Sequence, residues 1–393
     1  MEEAMSRTVY LDNAAATRPY PEVIEAMQPY FLEHFGNPMS FHKFGKEPRA
    51  AIEKARNEVA ELINGKADEI FFTASGTESN NFAVKGVALA LQKKGKHLVT
   101  SAIEHYGVHH SCKMLERVGF ETTYVPVDEF GRVDPKEVAK ALREDTVLVS
   151  VMLANHEVGT IQPIREIAEI TRERKIALHC DARMAVGHIP VDVEELGVDL
   201  LTISGQHFYG PKGSGALYVR KGVRIQPLIH GGVQEQGRRA GTENVPAIVG
   251  LGKAAAMAKE KVSDERNRLA LLRNRLEEGL TGKIDAVKVN GHPEYRLPHL
   301  LNICVNYVEG EGMIIMLVAK GIMAASGSAC SSKALKASHV LTAMGIDHAM
   351  AQGSILFSLG RETTEEDIDY VLSEMPPIIE RLRMMSPIYQ QQK

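Results

Sequence analysis

The chain has 393 residues, 44% hydrophobic and 24% charged. That balance is ordinary for a globular protein with a sizeable core, and at roughly 150 residues per domain the length calls for about two domains. Lys and Arg number 46 against 50 Asp and Glu, a net charge of −4, so no global field favours nucleic acid or an anionic membrane. The longest nearly continuous apolar runs, Val147–Ala154 and Met313–Ala319, fall far short of the roughly 20 residues a spanning helix needs. The opening Met-Glu-Glu-Ala lacks a leader pattern, and four scattered cysteines (Cys112, Cys180, Cys304, Cys330) make no disulfide framework. A cytoplasmic globular protein with no nucleic-acid or membrane partner is expected.

Strands are predicted near Glu69–Thr73, His97–Ala102, Thr122–Val125, Val147–Leu153, Ile176–Cys180, Asp199–Ser204 and Gly215–Val219. Amphipathic helices are predicted at Asn80–Gln92, Pro135–Arg143 and Ile164–Arg174. Alternating β and α elements, with several strands apolar throughout, predict a mostly parallel sheet covered on both faces. From Pro246 to about Gly282 the pattern reads as one or two long helices. Strands at Asn302–Val308 and Ser354–Leu359 and helices at Thr363–Leu372 and Pro377–Met384 complete a smaller α+β unit.

Four features carry possible chemistry. Phe72-Thr-Ala-Ser-Gly-Thr-Glu-Ser79 joins a strand to a helix, where free N–H groups and the helix dipole suit a phosphate, although a simple Ser or Thr cap also explains it. Ile203-Ser-Gly-Gln-His-Phe-Tyr-Gly-Pro-Lys-Gly213 leaves another strand at the sheet edge where ligands gather, so His207 faces either a ligand or the core. His105, His156, Cys180, Asp181 and His207 all fall near strand ends and are the candidates for a metal, although their spacing matches no compact metal motif. Cys330, within Ala325-Ser-Gly-Ser-Ala-Cys-Ser-Ser332, has the small polar surroundings of an accessible thiol.

Taken with further segments, these residues resemble the NifS/IscS family of cysteine desulfurases, within the class V aminotransferases. The segments are Tyr10–Ala16, Phe35–Pro38, Ile103–His105, Glu157–Pro163, Gly210–Gly213, Gly241–Pro246, Gly327–Cys330 and Ser358–Arg361. The resemblance implies an α/β fold-type I pyridoxal 5′-phosphate (PLP) architecture with a mostly parallel seven-stranded sheet. Residues 18–260 would form the large domain, and 1–17 with 261–393 a small α+β domain carrying the Cys330 loop. It also implies a homodimer. Gly76, Thr77 and Ser204 would hold the cofactor phosphate, joined by Thr242 from the partner subunit, while His105 stacks on the ring. Asp181 would pair with the pyridine nitrogen, His156 and His207 would stand in the cofactor site, and Cys330 would be the nucleophile that takes sulfur from L-cysteine.

Five positions depart from the family's pattern. Gln206 and His207 stand where the family carries His-Lys, so the lysine that bonds the cofactor is replaced by His207; an imidazole forms no comparable Schiff base, though it can serve as a base. His156 replaces an Asn, Met184 replaces the Gln that bonds the cofactor's phenolic oxygen, and Leu356 replaces an Arg that grips the substrate carboxylate. Charge-assisted hydrogen bonds contribute about 1.5–3 kcal/mol each, so losing a bidentate Arg costs roughly two to four decades of affinity for cysteine. Two functions follow from the resemblance. In one, the chain is a sulfur carrier or iron–sulfur assembly partner whose Cys330 bears a persulfide or ligates an iron–sulfur cluster beside a scaffold protein. In the other, it is a desulfurase or lyase with noncovalent PLP and His207 as base. A metal site on His105, His156, Asp181 and His207 is a third expectation.

Overall fold

The computed structural model describes residues 7–326 and 337–390. Seven strands form the central sheet, all within a residue or three of their predicted ends: Ile70–Thr73, His97–Ser101, Glu121–Val125, Thr146–Ser150, Ala177–Asp181, Leu200–Ser204 and Gly215–Val219. In space they run in the order of first residues 70, 215, 200, 177, 146, 97, 121. The pairings from Leu200–Ser204 across to Glu121–Val125 are parallel, and Gly215–Val219 is antiparallel to both its neighbours. Its direction follows from the short link after Ser204, which is too brief for the crossover helix a parallel return requires. Most of these strands are buried along their whole length, as expected for a sheet with helices on both faces. Thr73, Ser101, Ser150, Asp181 and Ser204 therefore end together on one edge, where α/β sheets bind ligands.

The smaller unit is a three-stranded antiparallel sheet of Val287–Asn290, Leu300–Val305 and Ser354–Ser358. One helix, Val245–Lys283, serves both units. Its residues Val245 to Ala258 belong to the apolar core under the large sheet, whereas Leu269, Leu272, Leu276 and Leu280 join Leu301, Ile303, Ile355 and Phe357 in the second core. We propose residue 260, between these two groups, as the division of the domains.

Two expectations about helices are corrected. Thr363–Leu372 and Pro377–Met384 are parts of a single helix, Glu365–Met385, that contains Pro376 and Pro377. Proline cannot donate to the carbonyl four residues back, and the carbonyl that Pro376 leaves free, that of Leu372, accepts from Lys283 Nζ at 3.2 Å. Packing of Ile368, Val371, Leu372, Met375, Ile378 and Ile379 into the second core holds the helix across the break. The helix Lys43–Leu62, with Gly45 and Pro48 in its first two turns, was not anticipated because both residues disfavour helix locally; its buried face of Ile52, Ala55, Val59 and Ala60 overrides them. Among the described residues no helix is long and apolar enough to cross a membrane.

Candidate functional site

The site is assembled at the carboxyl edge of the large sheet. After Thr73, Ser75 caps the helix Gly76–Leu91, its Oγ accepting from the Glu78 N–H at 3.1 Å, as serine does at this position. Glu78 accepts from the Ala74 N–H at 2.9 Å and pairs with Arg239 Nε at 2.9 Å. The cap is thereby tied to the loop that carries Thr242. A Cβ on Gly76 would lie 3.0 Å from the Ser204 Cβ, so glycine lets the helix start approach the strand end without either having to shift. Gly76, exposed Thr77 and Ser204 thus form one cup beneath free helix N–H groups. Thr242 is exposed in the isolated chain and lines, with Thr73, Ala74, Gly213 and Asn244, a neighbouring recess of about 190 Å³.

Asp181 ends its strand fully engaged. Its Oδ2 accepts from Asn80 Nδ2 at 2.7 Å, its Oδ1 from the Arg183 N–H at 3.1 Å, and the Arg183 Nε stands 3.6 Å from Oδ2. His105 caps the helix Tyr106–Glu116, its Nδ1 accepting from the Gly107 N–H at 3.0 Å, and its ring meets that of His156 edge-on at 5.4 Å. His207 lies in the turn after Ser204; its carbonyl accepts from His188 Nε2 at 2.7 Å, while its own Nδ1 is buried without a partner. Burial first and the Arg183 charge second hold these imidazoles neutral: His105 is pushed down to about 2, His207 to about 3, and His156 well below its ordinary range. Burial pushes the Glu104 carboxyl up to about 8, although its Oε1 accepts from Ser101 Oγ at 2.6 Å and the Met152 N–H at 2.9 Å.

Thr77, in the first turn of its helix, and His105, His156, Asp181, Ser204 and His207, on turns and strand ends, therefore lie along one sheet edge. They do not form a metal centre. Among the described residues no three His, Cys, Asp or Glu side chains are disposed to hold an ion. The reasons are local: Asp181 is committed to Asn80 and Arg183, and His105 Nδ1 is committed to its own helix. Met184 and Leu356 are buried in the large apolar core, and Leu356 exchanges both backbone hydrogen bonds with Ala325. Cys330 lies outside the described residues. The chain just before it is fixed by that Ala325–Leu356 pairing. The chain after it is fixed where Ser338 donates to Glu157 and His339 Nε2 meets the Glu104 carbonyl at 2.9 Å.

Sequence reasoning missed Arg183 and Asn80. Arg183 immediately precedes Met184, and an arginine two residues past a strand-end aspartate is the signal that could have flagged it.

A mostly parallel seven-stranded sheet, a small α+β unit and an acid at a central strand end define the fold-type I architecture of PLP-dependent enzymes. The family model for class-V aminotransferases matches residues 9–371, and the chain belongs to that family. It is 52% identical over 383 residues to a cysteine desulfurase IscS of Methanosarcina thermophila, covering 98% of this chain and 95% of that one. It is 53% identical over 389 residues to the IscS of Dictyoglomus turgidum, covering 99% of each. Among solved structures, a NifS-like protein superposes with a TM-score of 0.90 at 40% identity, covering 96% of this chain and all of that one. SspA in complex with cysteine superposes at 0.80 with 34% identity, covering 90% and 99%.

This kinship implies PLP as the family's cofactor. The residues present fit only part of it. The cup of Gly76, Thr77 and Ser204 suits a phosphate, but position 207 offers no amine, Met184 offers no hydrogen bond, and the Asp181 oxygen that a pyridinium would need already faces Asn80 and Arg183. The site does not fit PLP in the family's mode.

Proposed function

We propose that the chain works in sulfur transfer for iron–sulfur cluster assembly as a desulfurase-derived partner, with Cys330 as the thiol that bears a persulfide or ligates a cluster and with no lysine-bound cofactor. One observation carries this reading. Full-length likeness to cysteine desulfurases is joined to a site whose aldehyde-bonding amine has become a buried, neutral His207.

The cysteines support Cys330 as the working thiol. Cys112, Cys180 and Cys304 are buried, and burial pushes their thiols up, to about 12 for Cys112, well above the ordinary range for Cys180 and to about 11 for Cys304. A thiol so raised is a poor nucleophile and a poor metal ligand at neutral pH. The described chain on either side of Cys330 is anchored near the site, Ala325 on Leu356 and Ser338 and His339 on Glu157 and Glu104. The partners proposed are a scaffold or other sulfur-acceptor protein and a second copy of this chain in a cytoplasmic homodimer. Exposed Phe31, Leu32, Phe35 and Phe41, clustered in one segment, favour the second copy, since such apolar clustering marks interfaces.

A second reading keeps PLP noncovalently with His207 as base on cysteine. The unpartnered Nδ1 of His207 favours it; a base held down to about 3 opposes it.

The test supplies a competent desulfurase and L-cysteine. Sulfane sulfur then passes from the donor persulfide to the Cys330 thiolate, and the donor departs as a thiolate. Mass spectrometry is expected to find one added sulfur on the Cys330 peptide and none in Cys330→Ser. Release of alanine from cysteine by this chain alone, with PLP added and with the sulfur left as a persulfide that an added thiol reductant frees as sulfide, would establish the second reading instead.

A further inference from the structure

The proposed function rests on a site that works without lysine-bound PLP, and the same geometry identifies what keeps the cofactor's ring out. We infer that Arg183 takes the place of the pyridinium ring as the cationic partner of Asp181, so that the site excludes PLP although its phosphate cup is retained.

One short stretch of the Arg183 side chain touches both groups that a cofactor would bridge. Its Cδ lies 3.7 Å from the point a Cβ on Gly76 would occupy, beside Ser204, whose Oγ is 3.5 Å from that same point. The Nε bonded to that Cδ is 3.6 Å from Asp181 Oδ2. The side chain is only 11% exposed and that of Asp181 1%, and a guanidinium so buried requires a counter-charge. Asp181 supplies it, as a carboxylate would for a protonated pyridine. Placing a pyridinium on the same carboxylate would set two cations against one anion in a dry site, where like charges repel strongly.

The imidazoles report the same centre of charge. After burial, the Arg183 charge is the strongest influence against protonation of His105, His156 and His207, the residues that line the site on other elements. It also bears on Glu104, whose ionised form it favours against burial. Arg183 is thus a specificity-determining residue, distinct from the loss of the lysine. Restoring an amine at position 207 would not by itself restore cofactor binding.

The experiment measures PLP loading of the full chain in four forms: the unaltered protein, Arg183→Ala, His207→Lys, and His207→Lys with Arg183→Ala. An amine introduced at 207 condenses with the PLP aldehyde, releasing water, and borohydride then fixes the link. Absorbance, equilibrium dialysis and the fixed label are read together, with circular dichroism to confirm folding. The double variant is expected to bind PLP on the order of a hundredfold more tightly than His207→Lys alone, about 2.8 kcal/mol at about 1.4 kcal/mol per decade, and to carry the fixed label. If the alanine double variant does not fold, Arg183→Gln removes the charge with less loss of volume and repeats the test. Equal loading of His207→Lys with and without Arg183 overturns the inference, as does a folded double variant that fails to load. Persulfide formation at Cys330 of the unaltered protein is scored separately. Its absence with the loading pattern intact would remove the carrier function and leave the role of Arg183 standing, whereas the converse pair of results would remove Arg183's role and leave the carrier.

Discussion

Removing the guanidinium of Arg56 should destabilise the large domain more than any exposed ion pair could. Arg56 in the helix Lys43–Leu62 meets Glu235 at 2.8 Å through both terminal nitrogens, and its Nη1 also donates to the Ile70 carbonyl at 2.7 Å. The Phe72 N–H donates to the same carboxylate at 2.8 Å. The side chains are 8% and 3% exposed. This one pair therefore fastens the loop leading to Arg239 and Thr242 onto the strand that ends in the phosphate cup. Arg56→Met leaves the Glu235 charge buried, and breaking such a pair costs about 3–5 kcal/mol. For a domain of this size each kcal/mol lowers the midpoint by about 2–4 °C, so a fall of roughly 6–20 °C is expected in differential scanning calorimetry. Arg56→Met with Glu235→Met should recover most of the loss, because a buried pair exchanged for apolar side chains is often neutral. A single-variant fall below about 2 °C, or a double variant that loses the sum of the two singles, would refute the argument.

Stability should peak near pH 6.5. Burial holds His179 and His188 down to about 4, so between pH 6.5 and 4 the unfolded chain binds protons that the fold refuses, and stability falls as pH drops. Glu104 and Glu157 are pushed up to about 8 by burial; above pH 4.5 the unfolded chain releases protons that the fold keeps, and stability falls as pH rises toward 8. The depressed imidazoles, which also include His105, His156, His207 and His299, outnumber the two carboxyls and dominate below 6.5. Urea midpoints that stay flat from pH 4.5 to 8 would contradict this. Lys283→Met should cost about 1 kcal/mol by leaving the Leu372 carbonyl without its donor. In a Pro376→Ala background, where the backbone can supply that bond, the same change should cost almost nothing. An equal loss in both backgrounds would show that Lys283 acts otherwise.

The strands were legible because a sheet buried on both faces writes itself as short apolar runs, as in Val147–Val151 and Leu200–Ile203. The cup was legible because close approach of a helix start to a strand end favours small residues such as Gly76. What stayed hidden depends on tertiary contact. Prolines at 376 and 377 signal a stop by every local rule, and only a lysine from another helix and a shared core explain why the helix continues. Arg183 reads as one more charge in a loop until the fold brings Gly76, Ser204 and Asp181 around it. Its meaning is set by neighbours far away in the chain, and no spacing pattern encodes it.

The helix Val245–Lys283 belongs to two cores, and between them Lys259, Glu260, Lys261, Ser263 and Asp264 stand in solvent. Just beyond this span Arg268 donates to the carbonyls of Gly360, Arg361 and Thr363, which clamps the far end of the rod to the chain leaving the small sheet. At 1.5 Å per residue the stretch from Lys259 to Arg268 is roughly 15 Å of helix outside both cores, steadied by Lys259 on Glu61 at 2.9 Å and Lys261 over the Tyr20 ring. It sets the distance between the half of the molecule that holds the cup and the half built on the second core. A hinge between those halves would have to open backbone hydrogen bonds in that stretch, so the molecule is built as a yoke rather than a clamshell.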